Sequence, residues 1–192
     1  MVFVGTVLYI ADNGNDKIYK AALPHGVVTT RDSLALAYKA AAGANPAVLY
    51  VLTDGSPFDK IVGFDPDTGV ASVEFDAPDQ EGQGLTYLDG YLYYASQMGD
   101  TRIYKLDAAT GAEENDFRPM NDNGWEVNEA ILGMGNDGSD LIISYQDSWS
   151  ACFYKIKKTN GDNEGRFCEY DGNALKNAAS ITVAPDGKWL VG

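Results

Sequence analysis

Oxygen-bearing side chains recur at three places in this sequence where a ligand could be bound. They are Glu81 in the first stretch, Asn128 and Glu129 in the second, and Asn177 in the third. Carboxylate and amide oxygens are the ligands that a hard cation such as Ca²⁺ prefers. We therefore take these four residues as candidate metal ligands, with solvation of a water-filled channel as the alternative role for the same groups.

Two cysteines, Cys152 and Cys168, form the second pair that could do chemistry. If residues 158–161 form the turn of their hairpin and no bulge interrupts the strand pairing, Cys152 faces Phe167. The two sulfur atoms then lie on opposite faces of the sheet. A one-residue bulge at Gly161 or Gly165 would bring them together. A disulfide and two free thiols both stay open at this point, and a disulfide would indicate a secreted or luminal protein.

Catalytic motifs are absent from the sequence. His25 is the one histidine, and no G-x-S-x-G or Gly-rich phosphate loop is present. Asp122 and Glu126 flank Trp125, an arrangement that suggests a sugar-binding cleft. Glycoside hydrolysis, however, needs two carboxyl groups at a separation of about 5 or about 6.5–9.5 Å, which a sequence does not specify. No motif here defines a reaction.

The elements that must position these residues are strands in a repeat. Similar strand–turn–strand units open at Leu8, Leu49, Leu92 and Leu141, a period of roughly 41 to 49 residues. A period of that size built only of strands is typical of β-propeller blades. The sequence predicts an all-β propeller with four-stranded antiparallel blades.

The chain accounts for about four to four and a half blades in one domain. In a propeller, the starts of the innermost strands line one mouth of the axial channel, and this would gather the candidate ligands there. Residues 31–45 supply either an innermost strand or a short helix, and an innermost strand before Val7 is missing. We therefore expect the ring to belong to a larger or assembled propeller. The expected blades are residues 1–30, 31–78, 79–120, 121–172 and a partial 173–192.

The repeats resemble those of NHL-type and SMP-30/gluconolactonase-like propellers. The resemblance rests on residues 8–18, LYIADNGNDKI, and on residues 181–188, ITVAPDGK. The lactonase branch holds a catalytic divalent metal in the channel through a Glu, an Asn and an Asp. Its Glu-Gly-Pro segment has only a partial counterpart here, Glu81-Gly82-Gln83-Gly84 without the proline. The resemblance thus implies, as an alternative function, a Ca²⁺-type lactonase-like hydrolase with its site at the channel mouth.

Composition and charge narrow the classes of partner. The formal net charge is −14 and the sequence pI about 4.2, so the chain repels nucleic acid and anionic membranes and favours basic partners. No apolar run approaches the ~18 residues of a membrane span. Our leading hypothesis is a non-catalytic binding or assembly module, extracellular or luminal. It would bind a protein partner or neighbouring copies through a propeller edge or its loop face.

Overall fold

The fold is described from a computed structural model that covers residues 1–4, 7–12, 17–21, 26–29, 34–40, 46–96, 101–146, 151–170, 173–174, 181–183 and 189–191. In these ranges all regular structure is β-strand, and no helix long and apolar enough to cross a membrane is found. The strands are β1 (Val2–Val4), β2 (Val7–Asp12), β3 (Lys17–Ala21), β4 (Gly26–Thr29), β5 (Ala35–Lys39), β6 (Val48–Thr53), β7 (Lys60–Phe64), β8 (Ala71–Asp76), β9 (Gly82–Leu88), β10 (Tyr91–Ser96), β11 (Arg102–Asp107), β12 (Glu113–Phe117), β13 (Ile131–Asn136), β14 (Leu141–Gln146), β15 (Ala151–Ile156), β16 (Asn163–Phe167), β17 (Glu169–Tyr170), β18 (Asn173–Ala174), β19 (Ile181–Val183) and β20 (Trp189–Val191).

The first sixteen strands form four antiparallel four-stranded sheets, each a simple meander in chain order. The first strand of each sheet lies innermost, and β1 contacts β5, β5 contacts β9, and β9 contacts β13. This arrangement is a β-propeller, and it confirms the predicted fold class. The segment left open between strand and helix forms β5, a strand, because its alternating side chains pack between neighbouring blades.

A two-stranded sheet, β19–β20, follows the fourth blade. β19 contacts β13 and β14 on one side and β1 on the other, so it lies between the fourth and first blades. The sequence interpretation was wrong about the first blade, which already has its innermost strand. β1 pairs with β2 in an antiparallel register that places Val4 opposite Val7. Completion of the ring by further blades or copies stays a prediction.

The outer hairpins of the second and third blades share one type of turn. In the second blade, the Asp65 carboxylate accepts the amides of Asp67 and Thr68, each at 2.8 Å. In the third blade, the Asp107 carboxylate accepts the amide of Thr110 at 2.8 Å, and Gly111 closes the turn with a φ of 74°. A β-carbon at Gly111 would lie 2.4 Å from the ring of Phe75 in the preceding blade, so glycine is required there for packing as well as for φ.

The core consists of clusters between adjacent blades. Leu49 and Val51 pack toward the first blade, and Leu92 and Tyr94 pack toward the second. Leu141 and Ile143 pack toward the third blade, so these six of the predicted core positions are confirmed. Leu8 and Ile10, predicted to share that role, are half-buried.

The opposite faces of the second strands are also buried. Tyr9, Tyr50 and Tyr93 are each 2% exposed and pack toward the following blade. Sequence alternation predicts a single buried face for each of these strands, so the three tyrosines were not expected in the core. A blade in the middle of a propeller is covered on both faces, so apolar residues occupy both sets of positions.

Tyrosine hydroxyls connect successive blades. Tyr9 donates to the carbonyl oxygen of Pro66 at 3.3 Å, and Tyr50 donates to that of Ala108 at 3.0 Å. Both acceptors are the second residue of the repeated turn. Between the third and fourth blades, an ion pair of 2.6 Å joins the Lys158 ammonium to the Asp89 carboxylate.

Candidate functional site

The channel mouth at the start of β9 carries the first predicted ligand, Glu81. Its side chain is exposed, and its backbone adopts a left-handed φ of 57°, which is uncommon for a residue other than glycine. Glu81 lines a depression of about 370 Å³. The other lining residues are Leu34, Asp54, Gly55, Asp59, Gln80 and Gln83.

Asp59 is the most unusual group in this depression, because it is a carboxylate only 1% exposed. It accepts the backbone amide of Gly82 at 2.7 Å, and the hydroxyl oxygen of Tyr94 lies 3.4 Å from it. Burial raises the pKa of this carboxyl group above its usual value, and the hydrogen bond from Gly82 partly offsets that rise. The carboxylate therefore fixes the start of β9 against the second blade through the Gly82 amide.

A second carboxylate supports the same loop. Ser96 donates to the Asp79 carboxylate at 3.1 Å, while the hydroxyl of Tyr94 donates to the Asp79 carbonyl oxygen at 2.9 Å. Burial raises the pKa of Tyr94 well above its usual value, so this hydroxyl stays protonated and remains a donor. These contacts hold the mouth loop rigidly in place.

The other predicted ligands are not shown to join Glu81. Asn128 and Glu129 are exposed between the buried Val127 and β13, and the Thr101 hydroxyl donates to the Glu129 carbonyl oxygen at 3.1 Å. Asn177 lies outside the described residues. Within the part of the chain that the structure describes, no three His, Cys, Asp or Glu side chains are grouped to hold a metal. The divalent-metal site and the lactonase-like activity stay predictions.

A smaller cavity of about 180 Å³ lies inside the ring, toward the ends of the innermost strands. All five innermost strands contribute to it, and Tyr38, Thr86, Asn136 and Thr182 supply its polar groups. The Asn136 amide donates to the Thr86 hydroxyl at 2.7 Å and to the Tyr87 carbonyl oxygen at 3.2 Å. The Asn136 amide thus joins two innermost strands.

Trp125 marks a different surface, on the excursion between β12 and β13 that we call the Trp125 loop (residues 118–127). It is 73% exposed, the highest value among the large apolar side chains in the described residues. The Asn121 side-chain oxygen accepts the amides of Asn123 at 2.9 Å and Trp125 at 3.1 Å. The backbone amide of Asn121 donates to the Trp125 carbonyl oxygen at 2.8 Å. These bonds fix the backbone on both sides of the indole.

The base of the Trp125 loop is anchored to the propeller. Val127 is 1% exposed, and its amide donates to the Pro119 carbonyl oxygen at 2.8 Å. Met120 donates its amide to the Gly161 carbonyl oxygen at 2.9 Å, which ties the loop to the outer hairpin of the fourth blade. An ion pair between Arg118 and Glu126 closes the base. The exposed indole therefore stands on a rigid support.

A groove of about 530 Å³ separates the Trp125 loop from the fourth blade. Its walls carry three carboxylates, Asp122, Asp162 and Glu164, and one ammonium group, that of Lys157. Gly124, the residue before Trp125, also lines it. The carboxylates beside Trp125 are evident in the sequence, but no sequence signal predicts that the tryptophan is exposed rather than buried.

The cysteines lie at the end of the β15–β16 pair that is opposite its hairpin turn. The β15–β16 register shifts by one residue between Lys155 and Ile156, so Phe153 faces Phe167. This bulge lies beside Gly165. It places Cys152 opposite Cys168, whereas a hairpin without a bulge would place Cys152 opposite Phe167. The structure joins the two cysteines by a disulfide, with their Cα atoms 4.2 Å apart.

Comparisons with known proteins define the fold more clearly than the function. No family model matches the sequence, and no curated protein resembles it significantly. One structurally similar chain belongs to the crystal structure of a mitotic checkpoint complex, with a TM-score of 0.58 and 11% identity, over 100% of this chain and 57% of that one. A glutaminyl cyclase from Myxococcus xanthus has a TM-score of 0.62 and 14% identity, over 91% of this chain and 80% of that one.

The computationally designed protein Ika8 is also similar, with a TM-score of 0.54 and 13% identity, over 98% of this chain and 56% of that one. The chain thus spans little more than half the length of two of these three structures. Identities this low show the fold alone. The propeller is confirmed, whereas membership of the NHL or SMP-30/gluconolactonase group stays a prediction.

Proposed function

We propose that this propeller is a protein-binding or assembly module and that the Trp125 loop is its contact surface. The observation that carries the proposal is the 73% exposure of Trp125 on a loop whose backbone is held by internal hydrogen bonds. Tryptophan is among the residues most enriched at the energetic centres of protein interfaces. Leaving a large apolar ring in water costs free energy that a partner would recover.

The rigidity of the loop strengthens this proposal. A binding surface that is already ordered loses little conformational entropy on association, so more of the contact energy appears as affinity. Val70, which is 65% exposed, offers a comparison, because it follows the repeated turn and has no comparable excursion around it. A Val70→Ala variant is therefore a matched control for loss of an exposed apolar group.

A peptide-display selection tests the proposal. The folded chain is immobilised, a random twelve-residue library is selected on it, and each recovered peptide is measured on the parent, Trp125→Ala and Val70→Ala. We expect peptides that bind the parent and Val70→Ala but lose at least tenfold in affinity on Trp125→Ala. Peptides that bind all three proteins equally would refute Trp125 as the contact residue.

We further propose an extracellular or luminal location. The disulfide between Cys152 and Cys168 supports it, because disulfides persist in oxidising compartments and are rare in the cytosol. Intact mass after denaturing alkylation of protein from its native source tests it. Two alkyl adducts on the unreduced chain would remove this support.

A further inference from the structure

We infer that the partner segment at the Trp125 loop is cationic, with an arginine or lysine side chain stacked on the Trp125 indole. This inference rests on the proposed function and specifies the chemistry of the partner. An exposed indole face attracts a cation more strongly than any other aromatic side chain does. The contact therefore explains why the exposed residue is a tryptophan rather than an aliphatic one.

The charge around the loop favours the same partner. The Trp125 loop contains two carboxylates, Asp122 and Glu126, and one cation, Arg118, which is paired with Glu126, and Glu129 follows the loop. The neighbouring groove adds Asp162 and Glu164 to Asp122, against one Lys157. The chain as a whole has a net charge of −14, so a cationic segment is also attracted at long range.

Existing ion pairs do not prevent this binding. Arg166 lies 3.1 Å from the Asp122 carboxylate, and Lys157 lies 3.5 Å from that of Asp162. All four of these side chains are more than a third exposed, and such surface pairs contribute little net stability. A partner's guanidinium groups can therefore share or replace these contacts at small cost. Bidentate contacts of arginine with carboxylates make arginine the better fit of the two cations.

Fluorescence anisotropy with two labelled peptides tests the inference. One peptide contains six arginines, and in the other, citrulline replaces each arginine, which removes the charge and keeps the shape. We expect the parent and Val70→Ala to bind the arginine peptide at least tenfold more tightly than the citrulline peptide. We expect Trp125→Ala to lose at least tenfold for the arginine peptide, with an unchanged circular dichroism spectrum.

Each other outcome overturns the inference in a recognisable way. If Trp125→Ala binds the arginine peptide as tightly as the parent does, the peptide is attracted only by the overall negative charge of the chain. If the citrulline peptide, or a neutral oligosaccharide such as maltohexaose, binds as tightly and depends on Trp125, the indole is not a cation site. In that case the cationic partner is wrong, while Trp125-dependent peptides from the display selection would still support the proposed function.

Discussion

The hydroxyl of Tyr50 provides a direct test of how the blades are held together. It donates to the carbonyl oxygen of Ala108 in the next blade at 3.0 Å, and Tyr50 and Ala108 are 2% and 5% exposed. A Tyr50→Phe substitution keeps the ring and removes only this donor. Because the carbonyl oxygen would remain buried without it, we expect a loss of about 1–3 kcal/mol in the free energy of unfolding at pH 7.

The same hydroxyl should make the difference in free energy of unfolding between the parent and Tyr50→Phe depend on pH. Burial raises the pKa of Tyr50 to about 12 from its ordinary value of 10. The folded pKa is the higher one, so above pH 10 the unfolded chain releases this proton while the folded chain keeps it. The contribution of Tyr50 is therefore fully present below pH 10 and is lost as the pH rises toward 12, by about 1.4 kcal/mol at pH 11.

Urea unfolding of both proteins at pH 7 and pH 11, followed by circular dichroism, measures both effects. The phenylalanine variant lacks the titrating group, so the stability gap between the two proteins should narrow by about 1.4 kcal/mol at pH 11. Between pH 7 and pH 8.5 the gap should stay constant. A variant as stable as the parent at pH 7 would refute the inter-blade hydrogen bond. A gap unchanged at pH 11 would refute the burial of the hydroxyl.

Three further predictions test the rest of the architecture. Replacing Cys152 and Cys168 together by serine should cost about 3 kcal/mol, since a disulfide closes a loop of 16 residues in sequence separation, and an unchanged urea midpoint would contradict this. Leu92→Asp places a carboxylate at a position 0% exposed, so it should unfold or aggregate, and melting within a few degrees of the parent would exclude Leu92 from the core. Gly111→Ala should cost about 1–3 kcal/mol more than Gly69→Ala, because both have φ near 70° but only Gly111 faces a neighbouring ring; equal costs would show that φ alone matters.

The sequence was sufficient for the blades because their signals are local. Turns such as residues 65–69 combine an aspartate acceptor with a glycine that adopts positive φ, and the Asp89-Gly90 pair defines the hairpin between β9 and β10. Leu-Tyr pairs near the start of the second strands recur in the first three blades, at residues 8–9, 49–50 and 92–93. Each of these features is determined by the residue types within a short segment of the chain.

Features that depend on distant partners could not be read in the same way. Asp59 looks like an ordinary turn residue, and its burial follows from contacts with Gly82 and Tyr94 of the next blade. The register of the cysteines depends on a bulge beside Gly165, which a gap-free alignment of repeats omits. The exposure of Trp125 depends on how its loop is anchored at Gly161 in the fourth blade, and no local pattern encodes that contact.

Mapping of backbone amide shifts by nuclear magnetic resonance is the most direct test of the central claim, that the Trp125 loop is the binding surface. A peptide recovered by display is added to isotope-labelled protein, and the amides that move are assigned. We predict that the shifts concentrate in residues 118–127 and in the groove around Asp162 and Glu164. Shifts confined to the channel mouth around Glu81 and Asp59, with the Trp125 loop unmoved, would contradict the account.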